Sequence, residues 1–357
     1  MESNKINSVS FNQDHSCYCI STDNGVEVHT INPDDRPSKI PLDGSIMKAS
    51  MLYRTNIVAM VGGGTNPKYS SNKLILWDDK EKEVAGELTF GFRIRNFAIR
   101  RDIIAVQFED KVMVFGLRDL ELLKTHKTSM NYYNILCLNT KTSLPIIAML
   151  GSKRGTIKIH FHQNNTETEI ECHQAEIRAA SLNPEGTLLA TASTKGTLIR
   201  VFNTKDGGEP LRELRRGSEN ADIQCLAFSS LSIYLSCTSD KGTAHVFTIW
   251  GDDGISSDLD KSRMDPAEEE ITSHRHSFLT RTDKDLQKNK HSMFKFIKKI
   301  IPFFSSEWSF KQVRLGGRKN QLTICGFEKE EALILVNIQD AEKGTDEFKF
   351  RRIPLED

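Results

Sequence analysis

One short strand-like phrase recurs seven times along this chain. It occupies residues 25–31 (GVEVHTI), 72–78 (NKLILWD), 110–116 (DKVMVFG), 155–161 (GTIKIHF), 196–202 (GTLIRVF), 242–248 (GTAHVFT) and 331–337 (EALILVN). The first residues are spaced by 47, 38, 45, 41, 46 and 89 positions. Units of about 40–45 residues have the period of a propeller blade, and the last interval holds one blade plus an insertion of about 45–50 residues. Each phrase follows another apolar run, at 17–21, 57–61, 103–107, 146–150, 188–192, 234–237 and 322–326. Turn residues such as Thr194-Lys195-Gly196 and Asp240-Lys241-Gly242 separate run from phrase. Paired short strands joined by glycine-containing turns are hairpins. The expected fold is therefore all-β: a single seven-bladed β-propeller of WD-type repeats over 1–357, each blade a four-stranded antiparallel sheet around a central channel. A long loop, 251–306, is inserted within blade six. Two β-sandwiches are the competing architecture, but they predict no such phase. Residues 1–10 and 348–353 are both candidates to complete the last blade.

Lys plus Arg and Asp plus Glu number 48 each, so the formal net charge is zero. The chain does not bind nucleic acid or anionic lipid by overall charge, and any anion must meet a local cluster. No run approaches the roughly 18–20 apolar residues of a membrane-spanning helix. The first twelve residues lack the apolar core of a signal peptide. Seven cysteines form no CxxC pair and are odd in number, which suits reduced thiols in a cytoplasmic protein. Asn164-Asn165-Thr166 is a glycosylation sequon that has no role without secretion.

Between the fifth and sixth phrases lies Leu214-Arg215-Arg216-Gly217. Neighbouring residues of an extended strand point to opposite sides, so consecutive arginines can serve two pockets. Guanidinium offers a planar fork of donors that suits phosphate oxygens. Blade-equivalent positions supply small hydroxyls and imidazoles: His173, Ser193, Thr197 and Arg200 on one side, and Ser239, Lys241, Thr243 and His245 on the other. The alternative is a surface pair held by carboxylates.

Residues 190–204 (ATASTKGTLIRVFNT), Leu214-Arg215-Arg216-Gly217 and residues 239–247 (SDKGTAHVF) together resemble the PROPPIN family of phosphoinositide-binding β-propellers, called WIPI proteins in animals. The family hallmark is Phe/Leu-Arg-Arg-Gly, and this chain carries the Leu form. Residues 11–14 (FNQD), 61–69 (VGGGTNPKY) and 77–79 (WDD) resemble the WD-repeat-45-like branch. The likeness covers blades one to six and fades after about residue 316. It implies two sites on the rim for phosphatidylinositol 3-phosphate and the 3,5-bisphosphate. Arg215 belongs to the first with His173, Ser193, Thr197 and Arg200. Arg216 belongs to the second with Ser239, Lys241, Gly242, Thr243 and His245. It further implies a monomeric, non-enzymatic autophagy protein, cytoplasmic and peripheral on pre-autophagosomal and endosomal or vacuolar membranes, with no cofactor and no nucleic acid.

The insertion is acidic in its first half and basic in its second, the composition of a flexible loop. Near its end Met293, Phe296, Ile297, Ile300, Ile301 and Phe304 recur at helical spacing, beside Phe294, with Lys295, Lys298 and Lys299 on the other face. Such a basic amphipathic pattern suits a membrane interface. Pro302 ends or kinks that helix, leaving Phe303-Phe304 as an apolar tip. A capping helix packed on the propeller is the alternative. In the family, a long blade-six loop inserts into the bilayer.

His160-Phe161-His162 and His274-Arg275-His276 lack a Cys, Asp or Glu partner at metal-ligand spacing, so no metal is expected. Gly62-Gly63-Gly64 lacks the Gly-Lys-Ser/Thr of a phosphate loop. No G-x-S-x-G or motif-placed carboxylate pair appears, which disfavours a hydrolase at the channel mouth. Asn12 and Asp14 read as an exposed loop of blade one. Both residue types also form turns. In similar family members this region contacts the bridge-like lipid-transfer protein of autophagy, so both are candidate partner-binding residues. The alternative function is a protein-only scaffold without lipid binding.

Overall fold

The computed structural model describes residues 5–142, 144–205, 208, 210–250, 273–275, 277, 288–290, 306–316, 321–339 and 347–356. Seven sheets stand around one axis. Blade one is β1 (Ile6–Phe11), β2 (Cys17–Thr22), β3 (Gly25–Thr30) and β4 (Ser38–Pro41); blade two is β5 (Ile46–Met51), β6 (Ile57–Gly62), β7 (Lys73–Asp78) and β8 (Glu83–Thr89). Blade three is β9 (Asn96–Ile99), β10 (Ile103–Gln107), β11 (Lys111–Gly116) and β12 (Leu122–Lys127); blade four is β13 (Leu136–Leu138), β14 (Ile146–Leu150), β15 (Thr156–Phe161) and β16 (Thr166–Glu171). Blade five is β17 (Ile177–Leu182), β18 (Leu188–Ser193), β19 (Leu198–Asn203) and β20 (Arg212–Arg215), joined at its edge by β24 (Glu307–Trp308). Blade six is β21 (Ile223–Phe228), β22 (Tyr234–Ser239), β23 (Thr243–Thr248) and β25 (Lys311–Arg314); blade seven is β26 (Gln321–Glu328), β27 (Ala332–Gln339) and β28 (Glu347–Pro354).

The recurring phrases are β3, β7, β11, β15, β19, β23 and β27, and the apolar runs before them are β2, β6, β10, β14, β18, β22 and β26. Ring closure resolves the two terminal candidates. Residues 6–11 pair with β2 inside blade one, while residues 347–354 form the outer strand of blade seven.

Burial peaks at the second strand of each blade and falls toward the rim, for a geometric reason. The second strand of each blade is covered on both faces by neighbouring blades, so β2, β10, β14, β18 and β22 are buried at every position. Outer strands are covered on one side only and alternate. At one register position each turns an apolar residue inward: Ile40 opposite Val26, Leu88 opposite Leu74, Ile170 opposite Ile157, Leu214 opposite Ile199, and Val313 opposite Ala244. Blade three departs from this rule, with His126 opposite Val112. The innermost strands of blades one, two, five and six each carry a register shift at the same place, after Ile6, Ile46, Ile177 and Ile223. A bulge there increases twist as strands converge on the axis.

Inner strands from all seven blades line a central channel of about 360 Å³. Lys48 points into it beneath Asn96, and burial lowers its pKa to about 8. In blade six, β23 and β25 are sequential strands of the sheet, yet 62 residues, 249–310, separate them in the chain. This is the place expected for the insertion.

Burying a leucine fully contributes about 1.5–3 kcal/mol. Leu235, wholly buried in β22, sits where two blades press on one strand. Leu235→Ala is expected to lower unfolding free energy by about 2–5 kcal/mol. Leu122→Ala, on the exposed edge of β12, should change it by less than about 0.5 kcal/mol. Urea denaturation of both variants measures the contrast, and equal losses would contradict the burial gradient.

Candidate anion-binding site

Blades five and six present two equivalent turns. In each, a serine ends the second strand and a glycine starts the third. Gly196 donates its amide to Ser193 O at 2.9 Å, and Gly242 to Ser239 O at 3.3 Å. Both glycines have positive φ, +62° and +67°, a conformation that costs other residues about 1–3 kcal/mol. A Cβ on Gly196 would also lie 1.9 Å from Ala221 O. Ser193 and Ser239 are buried, Thr197 and Thr243 half-buried, and Lys241 exposed.

Between these turns runs β20. Leu198 pairs with Arg215, Ile199 with Leu214 and Arg200 with Glu213. Leu214 points inward and is wholly buried, which fixes the strand and leaves its arginines at the rim between blades. Arg215 and Arg216 are each only 7% exposed. Arg215 Nε donates to Ser306 Oγ at 2.7 Å. Arg216 Nε donates to Gly196 O at 2.9 Å, and its Nη2 donates to Glu219 O. The Arg216 amide is held by Thr197 O at 3.0 Å.

Electrostatics place Arg216 on the blade-six side and Arg200 on the other. Arg216 acts on blade six: burial first, then Arg216, lowers the His245 pKa to about 4. The same guanidinium draws down the Cys237 thiol, which burial pushes up. On the other side, burial first and Arg200 second lower His173 to about 4. Both imidazoles are therefore neutral at pH 7, each able to donate from one ring nitrogen and accept at the other. His173 Nε2 lies 3.0 Å from Thr191 Oγ1, and His245 Nδ1 lies 3.1 Å from Ser309 Oγ. Arg200 is held by Glu213, with Nε and Nη2 at 3.1 and 3.0 Å from Oε2, and donates Nη1 to Cys172 O at 2.9 Å.

The structure adds residues that the sequence pattern did not single out. The chain returns from the insertion as β24, parallel to β20, with Leu214 opposite Glu307 and Arg215 opposite Trp308. Ser306 and Ser309, 1% and 0% exposed, thereby reach Arg215 and His245. Arg212 fixes the strap: its Nη1 is 3.2 Å from Glu307 Oε1 and its Nε donates to Ile249 O at 3.0 Å. Asn289 closes the neck of the insertion, exchanging two bonds with the Thr248 backbone and donating to Glu307 Oε2 at 2.8 Å. Arg275, placed by composition in a flexible loop, is instead 8% exposed, stacked 4.8 Å over Trp250 and donating to Leu231 O. The membrane-insertion series Phe294, Phe296, Ile297, Ile300, Ile301, Phe303 and Phe304 lies outside the described residues. No helix among the described residues is long and apolar enough to cross a membrane.

A sequence profile of the PROPPIN family matches residues 5–256. The chain belongs to the PROPPIN family. It is 32% identical over 339 residues to Autophagy-related protein 18e of Arabidopsis thaliana, covering 94% of this chain and 81% of that one. SVP1-like protein 2 of Schizosaccharomyces pombe is 33% identical over 251 residues, covering 69% and 68%. Hsv2 of Kluyveromyces lactis, solved with its complete loop 6CD, superposes with a TM-score of 0.68 over 98% of each chain at 22% identity. That likeness is one of fold. PROPPINs are propellers that bind phosphoinositides, and the match spans the Arg215–Arg216 pair.

One partner-site expectation is corrected. Asn12 is not exposed: at 3% accessibility it accepts from the Cys17 amide at 3.0 Å and donates to Ser16 Oγ and Tyr53 O. Its side chain holds the blade-one turn, because an amide with both ends bonded locally is spent on folding. Asp14 is exposed, capping Ser16 through its amide and hydroxyl.

Proposed function

We propose that this PROPPIN is a phosphoinositide effector of autophagy. It recognises phosphatidylinositol 3-phosphate and phosphatidylinositol 3,5-bisphosphate on membranes and recruits a bridge-like lipid-transfer protein during autophagosome formation. The observation carrying this reading is the pair of adjacent arginines, almost fully buried, between two equivalent Ser-x-Lys-Gly-Thr turns. Guanidinium presents a planar fork of donors, and a phosphate brought to each supplies charge-assisted bonds. Site one is Arg215 with His173, Ser193 and Thr197, flanked by the charge of Arg200. Site two is Arg216 with Ser239, Lys241, Gly242, Thr243 and His245. Occupation of site one exchanges the Ser306 hydroxyl on Arg215 for a phosphate oxygen.

The family resemblance and the basic amphipathic run together support a membrane foot at 251–306. Each headgroup contact raises the effective concentration for the next, and two signals give durable but reversible residence. With the rim and foot on the bilayer, the protein stands edge-on as a peripheral protein of pre-autophagosomal, endosomal or vacuolar membranes. Asp14 remains a partner-binding candidate. The fragment around it and the blade-two loop share the WD-repeat-45-like pattern. The scaffold reading draws on one observation, that Arg216 bonds the carbonyls of Gly196 and Glu219 and so braces a turn.

Changing Arg215 and Arg216 together to Ala is expected to abolish flotation with liposomes carrying phosphatidylinositol 3-phosphate while the far-ultraviolet spectrum is kept. Undiminished flotation would sink the lipid sites and favour the scaffold. Replacing Phe296, Ile297 and Ile300 with Asp should reduce liposome retention by about tenfold or more, since three apolar anchors are lost, yet spare binding of a soluble headgroup. Retention equal to wild type would remove the foot. For Asp14→Arg, lipid binding is expected to persist and capture of the lipid-transfer protein to fall; normal recovery in a pull-down would take Asp14 out of the interface.

A further inference from the structure

We propose that His126, His160 and Glu167 form a binding site for one divalent transition-metal cation of the zinc type, at the rim where blades three and four meet. The local sequence disfavoured metal at His160-Phe161-His162 because no acidic partner lay at ligand spacing. Folding supplies both missing donors: β16 lies beside β15 and brings Glu167 opposite His160, while β12 of the preceding blade brings His126. One donor atom from each of the three lies within 4.8 Å of the other two.

Comparison among the blades themselves makes these imidazoles anomalous. The position of His126 is filled by Ile40, Ile170, Leu214 and Val313 in other blades. The position of His160, three residues after the residue paired with the outer strand, carries Trp77, Phe115, Phe202 and Phe247 in blades two, three, five and six, while blade one has His29 there, stacked on Tyr18. Two polar rings thus replace apolar side chains, and they touch each other, with centroids 4.5 Å apart. His160 is wholly buried and His126 is 3% exposed. Neither ring nitrogen of His160 has a hydrogen-bond partner, and neither does His126 Nε2. Leaving such groups unpaired costs about 1–3 kcal/mol each, which a bound ligand relieves.

The donor set fits the cation. A single carboxylate oxygen, Glu167 Oε1, lies 3.0 Å from His126 Nδ1 and 3.8 Å from His160 Nδ1. With metal–ligand bonds of about 2.0–2.2 Å, tetrahedral corners stand about 3.3–3.5 Å apart. Two borderline imidazole donors beside one hard carboxylate suit zinc rather than magnesium or calcium. Two lysines also face the carboxylate. Lys158 Nζ is 3.7 Å from Oε2, the oxygen left free by the metal, and can remain. Lys124 Nζ, 3.4 Å from Oε1, must give way, keeping its bond to Asn165. His162, with its ring 5.9 Å from that of His160, is the nearest further imidazole. The half-exposed Glu167 leaves the fourth position open to water.

Titration of chelator-stripped full-length protein with Zn²⁺ tests the site, with Mg²⁺ as control. The expected result is one zinc per chain and a higher melting temperature, with affinity falling about tenfold or more in Glu167→Gln and His160→Gln. Substituting Co²⁺ should give visible d–d absorption without the near-ultraviolet thiolate band that a cysteine site would show. Glu167→Gln alters only a rim side chain, so it decides the matter even where His160→Gln fails to fold. Absence of zinc binding, equal affinity in Glu167→Gln, or a thiolate band on cobalt would overturn the proposal.

Discussion

Everything in this molecule depends on the pressing of one blade against the next. A four-stranded sheet alone would leave two apolar faces in water. Wound into a ring, each sheet covers its neighbours, and the second strands become buried on both sides. Those strands read as runs of apolar and small hydroxyl residues for that reason, while the outer strands, covered on one face, alternate. The rim then inherits a rigid base. Leu214 is anchored in the core between blades five and six, so the backbone of the two residues that follow it is held where it stands, and turn and loop oxygens steady their guanidinium groups.

That base explains how two arginines can remain so deeply placed. Their partners within the protein include neutral oxygens: the Ser306 hydroxyl and the Gly196 and Glu219 carbonyls. Two histidines nearby are kept neutral by burial and by the arginine charges, which leaves the local field positive. The contrast with Arg200 is instructive. It sits one strand away, on the same sheet, and is neutralised by Glu213 directly opposite. A charge used for cohesion on β19 is thereby distinguished from the charges that β20 carries to the seam between blades.

Period and turn chemistry make the propeller legible in the sequence. A phrase that returns every forty-odd residues fits few architectures besides a ring of blades, and Leu-Arg-Arg-Gly between two Ser-x-Lys-Gly-Thr turns locates the rim site. Other features have no sequence signal. β24 is two residues long and gains its strand character only from the edge of β20, so nothing in Glu307-Trp308 announces it. Asn12 has the character of a surface turn residue because its type favours turns. Only the approach of Tyr53 from the next blade buries it. His126, His160 and Glu167 lie on three strands of two blades, and linear spacing carries no trace of such a meeting.

The ring also closes in an uneven way. Blade one keeps its own first strand and blade seven ends on its own last strand, so among the described residues no sheet is built from both ends of the chain. The junction is made by side chains: Tyr18 stacks 6.1 Å from Phe350, His29 meets Phe348 edge-on, and the Phe327 amide reaches His15. Six of the seven seams lie between blades that follow one another directly in the chain. The seventh joins segments more than 300 residues apart and is the last to be assembled when local hairpins form first. Closure is then a single long-range docking step. The same junction, the one seam not backed by a direct chain connection between its blades, is the natural hinge at which the circle opens when the fold is strained.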